Sequence, residues 1–200
     1  MIIIPISRLA ASRIAQRLAQ VGRDLLFYWA TFDKGNIAFA VVLATPVMML
    51  VGMIYIAYAD HSRIVAEQQR FIDLNCLARN VYHEARGESF IGQRAVAEVT
   101  LNRVASRRFP GTVCEVVYEK RWDPKRKRDV GAFSWTELDS VERPAGNAWQ
   151  LAVDAAQSVY DSEHAPVVHG ALFYHANRIS PGWAKTKNRV AKIGSHTFYE

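Results

Sequence analysis

Residues 74–88 read LNCLARNVYHEARGE, and the apolar positions Leu74, Leu77, Ala78, Val81 and Ala85 recur at the spacing of one helical face. Gly87 follows at once, and a glycine just past the last periodic residue is a helix stop. The expected helix therefore ends on Tyr82-His83-Glu84-Ala85, with Glu84 and Glu88 four residues apart beside His83 and Arg86. A carboxylate in the last turn faces the negative end of the helix dipole, which pushes its pKa upward. A carboxyl that keeps its proton near neutrality can act as a general acid, a role worth roughly 100 to 10,000-fold in rate. Arg86 acts in the opposite sense if its guanidinium reaches that carboxylate, so the sign stays open at this level.

Downstream, Ser89 is placed to cap a second helix over about residues 90–104, with Ile91, Ala95, Val96, Val99 and Val104 as its apolar stripe. Gln93, Asn102 and Arg103 interrupt that stripe; the plainest roles are a helix-end cap for Asn102 and solvent exposure for Arg103. The order of motifs is more specific than any one of them: HEARGE, then Gly92-Gln93-Arg94-Ala95-Val96-Ala97, Leu101-Asn102-Arg103-Val104, Phe109-Pro110 and Thr112-Val113-Cys114. Ala132-Phe133-Ser134-Trp135, the run 170–176 (GALFYHA), Pro181-Gly182-Trp183 and the run 193–199 (IGSHTFY) continue it. Over residues 73–199 the chain resembles the catalytic domain of the SleB/CwlJ family of bacterial cell-wall hydrolases. The resemblance implies an α+β, mainly helical, lysozyme-related fold with short β segments. It also implies cleavage of peptidoglycan glycan strands between N-acetylmuramic acid and N-acetylglucosamine, by lytic transglycosylation or as a muramidase, with no cofactor. The family's essential glutamate maps onto Glu84.

Glu88 has two readings. It is the second carboxylate of a lysozyme-type pair if the two groups stand roughly 5 to 9 Å apart. Otherwise it holds Arg86 or caps the next helix. Pro144 is expected to open a further helix carrying Trp149, Val153, Ala156 and Tyr160 into the core. Residues 170–176 and 193–199 are β-prone, and strand alternation sets Phe173 with His175 on one face and Leu172 with Tyr174 on the other. Trp135, Tyr174 and Trp183 are candidate platforms for sugar rings. Ser134, His175 and His196 are candidate polar cleft residues, with Arg86, Gln93 and Asn102 in support.

Ahead of this domain, Ile37 to Ala59 is a run of 23 residues without a charge. As a helix it spans roughly 34 Å, enough to cross a bilayer core. Pro46 kinks such a span without excluding it, and Tyr55 and Tyr58 suit an interface. Arg8, Arg13, Arg17, Arg23 and Lys34 precede the span against Asp24 and Asp33, whereas Arg63 and Arg70 follow it alongside Asp60 and Glu67. The positive-inside rule then puts the N-terminus in the cytoplasm. More than thirty residues precede the apolar run, too many for a signal-peptide n-region, and no persuasive small-x-small cleavage site follows it, so an uncleaved signal anchor is expected rather than a cleaved signal peptide. The expected layout is a basic segment over 1–36, a transmembrane anchor over 37–59, a stalk over 60–72 and a hydrolase domain over 73–200. The protein would be single-pass in the bacterial inner membrane with its catalytic domain periplasmic. Leu9, Ile14, Leu18, Val21 and Leu25, followed by Phe27, Tyr28 and Trp29, suit either an amphipathic helix on the inner membrane surface or a basic tail.

The two cysteines, Cys76 and Cys114, fall in the extracytoplasmic part, where an oxidising compartment permits a bridge; a Cys76–Cys114 disulfide is expected, with two buried thiols as the alternative. His83-Glu84 is followed by Gly87 where a zinc-binding HExxH helix needs its second histidine, so that motif fails. Convergence of His164, His169, His175 and His196 on Glu84 is the remaining route to zinc, and with it to an amidase that cuts the peptide from muramic acid. A tethered glycan binder without catalysis is the other alternative. Residues 120–128, KRWDPKRKR, hold six basic residues, most simply a solvated loop and secondarily a surface for anionic wall polymers. Nucleic acid is not an expected partner. No DNA-binding motif accompanies the patch, and residues 1–34 carry +3 of the net charge of +6.

Overall fold

The uncharged run that begins at Ile37 ends at Ala59, but the helix that carries it does not. In the computed structural model, which describes residues 6–31, 34–124 and 126–200, helix α1 (Ile6–Thr31) is followed by one continuous helix, α2 (Lys34–Ala85). Pro46 lies inside α2. The apolar window of α2 is long enough to cross a membrane and none of it is covered by protein. On α1, Leu18, Val21, Phe27 and Tyr28 are exposed. The side chains of residues 6–15, 25 and 29 lie outside the described residues, and with them Arg8, Leu9, Arg13, Ile14, Leu25 and Trp29 of the basic, amphipathic segment. The chain divides into two compact units, residues 1–61 and 62–200.

Within the second unit the last turns of α2 bury Leu77, Ala78, Val81, Tyr82 and Ala85. After Gly87 the chain enters α3 (Phe90–Ala105), whose N-cap Ser89 accepts a hydrogen bond from the Gly92 amide. Helix α4 (Val113–Val117) is capped in the same way by Thr112. A hairpin follows, β1 (Lys120–Asp123) antiparallel to β2 (Arg128–Gly131). The basic run 120–128 is therefore two paired strands and a turn rather than a plain loop. Its cations find local acids: Arg128 pairs with Glu137 at 2.6 Å and Arg121 with Glu119 at 2.7 Å.

Helix α5 is Gly146–Tyr160, starting two residues after Pro144. Gly146 has φ +67°, a left-handed conformation that side chains other than glycine's rarely adopt. The three-stranded sheet has the order β3 (Phe173–Ala176), β5 (His196–Tyr199), β4 (Arg189–Ile193), all neighbours antiparallel. Strand β4 was not expected, because RVAKI carries two charges that mask its alternation.

Helix α3 is buried almost all round. One side (Ala97, with Leu101 and Val104) packs into a cluster with Leu77, Val81, Val117, Ala152 and Ala156, and the other (Ala95, Val99) into a cluster with Val168, Ala171 and Phe198. Its polar residues serve the backbone of the segment that leads into β3. Glu98 accepts from the amides of Val167 and Val168, Arg94 donates to the Ala165 carbonyl, Asn102 to Ala171 and Arg103 to Leu172. Asn102 is thus no helix cap, and Arg103 is buried rather than exposed. Buried backbone groups need such partners. A second polar thread joins three elements: Trp135 Nε1 donates to Asn80 Oδ1 at 3.0 Å, and Asn80 Nδ2 donates to Thr100 Oγ1 at 3.1 Å. Cys76 on α2 and Cys114 on α4 form a disulfide.

The mainly helical α+β, lysozyme-related architecture with short β segments is the one expected from the sequence, and a long apolar helix precedes it.

Candidate active site

Because Gly87 ends α2, Glu84 is left at its C-terminal turn, facing the sheet. A cleft of about 590 Å³ opens there, lined by Glu84, Glu88, Ser134, Tyr174, His175, Trp183, Ser195 and His196, with Arg86 at its edge. Tyr174, on β3, packs against both core clusters, so its ring is fixed from two sides. Its hydroxyl donates to Glu84 Oε2 at 3.0 Å.

Burial pushes the Glu84 carboxyl above the usual glutamate range, and the Tyr174 hydroxyl and the Arg103 guanidinium, which favour the anion, only partly oppose it. The sign left open by the sequence is thus upward, and burial is its largest cause. The Tyr174 phenol lies well above its ordinary pKa through burial and the neighbouring Glu84 charge, so it remains a donor. The cation that acts on Glu84 is Arg103. Arg86 points instead to Glu142, at 2.6 Å, and to the Tyr82 hydroxyl.

Glu88 neither holds Arg86 nor caps α3. It accepts from the Ser195 amide at 3.1 Å and from the Ser195 hydroxyl, with His196 Nδ1 at 3.7 Å. A side chain at Gly194 would run into this carboxylate, which explains a glycine, at φ +57°, in the β4–β5 turn. Burial raises the Glu88 pKa, but the two Ser195 hydrogen bonds and His196 outweigh it, and the net shift is downward. His196 in turn sets its ring edge-on to Tyr174 at 5.4 Å. A line of contacts thus runs from Glu88 through His196 and Tyr174 to Glu84.

A carboxylate whose native pKa is lowered stabilises the fold above its unfolded pKa, and that stabilisation is lost as pH falls through the native value. Glu88→Gln should therefore lower stability at neutral pH by up to about 1 kcal/mol, since Ser195 is exposed and glutamine keeps one acceptor for it. The deficit should shrink on acidification. Denaturant melts of both proteins at pH 7 and at acid pH check this, and a deficit independent of pH would contradict it.

His175 Nδ1 lies 2.9 Å from the Ala176 carbonyl, an acceptor, so in the neutral ring Nδ1 carries the proton and Nε2 accepts from the Tyr199 hydroxyl at 3.0 Å. Trp183 is the exposed indole of the cleft, its ring 5.7 Å from His175 and 5.5 Å from Tyr199. Three expected site residues lie elsewhere. Trp135 is a core residue, satisfied by Asn80 and stacked on His83 at 4.5 Å, and offers no face to a sugar. Gln93 is buried and donates to the Glu88 carbonyl; Asn102 holds Ala171. Ser195 and Arg103 were missed, since neither residue type signals its partner in the sequence. The histidines do not converge on Glu84 as a set: His175 and His196 line the cleft, while His164 and His169 are exposed outside its lining. Among the described residues no three His, Cys, Asp or Glu side chains gather as a metal site requires.

Residues 87–199 match the model of the family described as Cell Wall Hydrolase. The chain belongs to that family. The matched segment begins three residues after Glu84; it leaves out the cleft residues His83 to Arg86 and takes in Glu88, Ser134, Tyr174, His175, Trp183, Ser195 and His196. Among its relatives, the spore cortex-lytic enzyme of Bacillus cereus is 32% identical over 126 residues, which cover 63% of this chain and 43% of that protein. The spore cortex-lytic enzyme of Bacillus subtilis is 30% identical over 128 residues, covering 64% of this chain and 37% of that one. The chain therefore spans less than half the length of these curated relatives. The solved catalytic domain of the germination-specific lytic transglycosylase SleB from Bacillus anthracis superimposes with a TM-score of 0.52 at 31% identity, covering 64% of this chain and 93% of that domain.

Proposed function

We propose that this hydrolase cuts peptidoglycan glycan strands between N-acetylmuramic acid and N-acetylglucosamine by lytic transglycosylation, with Glu84 as the single acid and base. The observation that carries the reading is the half-buried Glu84 carboxyl, its pKa raised by desolvation, hydrogen-bonded by a fixed tyrosine on the wall of an open polar cleft. Glu84 protonates the glycosidic oxygen while positive charge develops at muramic C1. The resulting carboxylate takes the proton of the C6 hydroxyl, which closes on C1 to give a 1,6-anhydro sugar. Tyr174 and Arg103 stabilise the anion in that second role, and Trp183 offers a stacking face for a sugar ring. Glu88 is a positioning residue, committed to Ser195 and His196.

The apolar part of α2 anchors the enzyme in the bacterial inner membrane, with the basic N-terminal segment cytoplasmic and residues 73–200 periplasmic, which brings the cleft to the wall. Residues 60–72 are the stalk. Tyr174→Phe removes a hydrogen bond that favours the Glu84 anion, so Glu84 must rise further. Activity needs Glu84 protonated at the outset, so the fall in kcat/KM on the alkaline side should move to higher pH in this variant. A limb that stays in place or moves to lower pH would remove Glu84 from the role.

The proposal as a whole is tested by incubating purified sacculi with the full chain in detergent and separating soluble products. Glycan fragments are expected; release of free stem peptides from intact strands would favour an amidase instead, and tight binding without release a non-catalytic binder.

A further inference from the structure

A second cavity, of about 370 Å³, adjoins the catalytic cleft and shares His175 and Ile179 with it. Three cations line it: Lys185 from the 3₁₀ turn Gly182–Thr186, and Arg189 and Lys192 from β4. All three are exposed, no acidic residue lines the cavity, and none of the three has an ion-pair partner among the described residues. This contrasts with the β1–β2 hairpin, where Arg121, Arg126 and Arg128 each meet a carboxylate.

The floor does not need these charges. Thr197 donates to Asn177 Oδ1 at 2.6 Å, Asn177 donates to the Gly194 carbonyl at 3.1 Å, and the Tyr199 hydroxyl is spent on His175. Like charges gathered without a counter-ion repel, and concave walls focus their field outward, so the arrangement favours an anion. On the glycan-cleavage reading, the chemistry of the substrate supplies one at this place. The peptide stem hangs from the lactyl ether of muramic acid, the sugar whose C1 faces Glu84, and the stem carries free carboxylates. N-acetylglucosamine carries none.

We propose that this cationic pocket binds the free carboxylates of the peptide stems, so that the enzyme selects peptide-bearing stretches of the glycan strand. The inference rests on the proposed glycan substrate but is tested through binding, separately from cleavage. Full-length Glu84→Gln protein in detergent, which leaves the strands intact, is sedimented with purified sacculi and with sacculi whose carboxyls have been converted to methylamides. Amidation is expected to weaken its binding about tenfold, which corresponds to roughly 1.4 kcal/mol. Adding Lys185→Gln, Arg189→Gln and Lys192→Gln should weaken binding to native sacculi by a similar factor and abolish the effect of amidation. Lys192→Gln alone should act in the same direction with a smaller drop. A control that removes three hairpin cations, Lys120→Gln, Arg126→Gln and Lys127→Gln, should bind as the parent does. Indifference of the parent to amidation, amidation sensitivity that survives in the pocket variant, or an equal loss in the hairpin control would each overturn the proposal. Failure of the wild-type chain to release any glycan would count against the cleavage reading alone, because the binding comparison stands without it.

Discussion

Glu84→Gln is expected to abolish release of soluble glycan from sacculi, a loss of at least about a thousandfold, within the range by which general acid–base groups accelerate reactions. The fold should survive. Glutamine keeps the volume of the side chain and can accept from the Tyr174 hydroxyl, and it removes the cost of ionising a buried carboxyl. Thermal melting should therefore stay within a few degrees of the wild type, where about 1 kcal/mol corresponds to roughly 2 to 8 °C. Glu88→Gln, by contrast, should retain measurable activity while losing stability, since its partners are Ser195 and His196 rather than the reacting bond. Equal loss of activity in both variants would mean that Glu88 belongs to the chemistry.

The largest stability effect is expected at Cys76 and Cys114. Their disulfide closes a loop with a sequence separation of 38, for which the chain-entropy model gives about 4 kcal/mol. It fastens α4 to α2 about one and a half turns before Val81 and just over two turns before Glu84, so the helix that carries the acid is held from the outside as well as by its core face. Paired replacement by alanine should lower the unfolding free energy by about 2 to 4 kcal/mol. Calorimetry of the oxidised protein and the double variant decides it; matching transitions would mean that the bridge contributes nothing.

The sequence makes the long elements plain and hides the partners. The end of α2 reads directly from Leu77, Val81 and Ala85 followed by Gly87, and the start of α3 from Ser89, because helix period and caps are local signals. The roles of Gln93, Arg94, Glu98, Asn102 and Arg103 are not legible, since what they bind is backbone elsewhere in the chain: Ala165, Val167, Val168, Ala171 and Leu172 for four of them. Trp135 misleads for the same reason. An indole whose N–H meets a buried asparagine can sit in the core, and nothing in Ala-Phe-Ser-Trp announces Asn80. Strands β1, β2 and β4 are short and charged, so period-two patterning is too weak to expose them. Glu84 was legible as a candidate acid from its place at a helix end and from the family resemblance, yet neither the burial that raises its pKa nor the Tyr174 hydroxyl that opposes it can be read there.

The central claim, that Glu84 passes one proton to the leaving sugar and takes another from the C6 hydroxyl, is tested most directly by digesting sacculi in water enriched in ¹⁸O and weighing the released muropeptides. The wild-type chain is expected to leave 1,6-anhydromuramic ends that contain no ¹⁸O, and Glu84→Gln to release nothing. Reducing ends that carry one ¹⁸O, or unchanged release by Glu84→Gln, would contradict it.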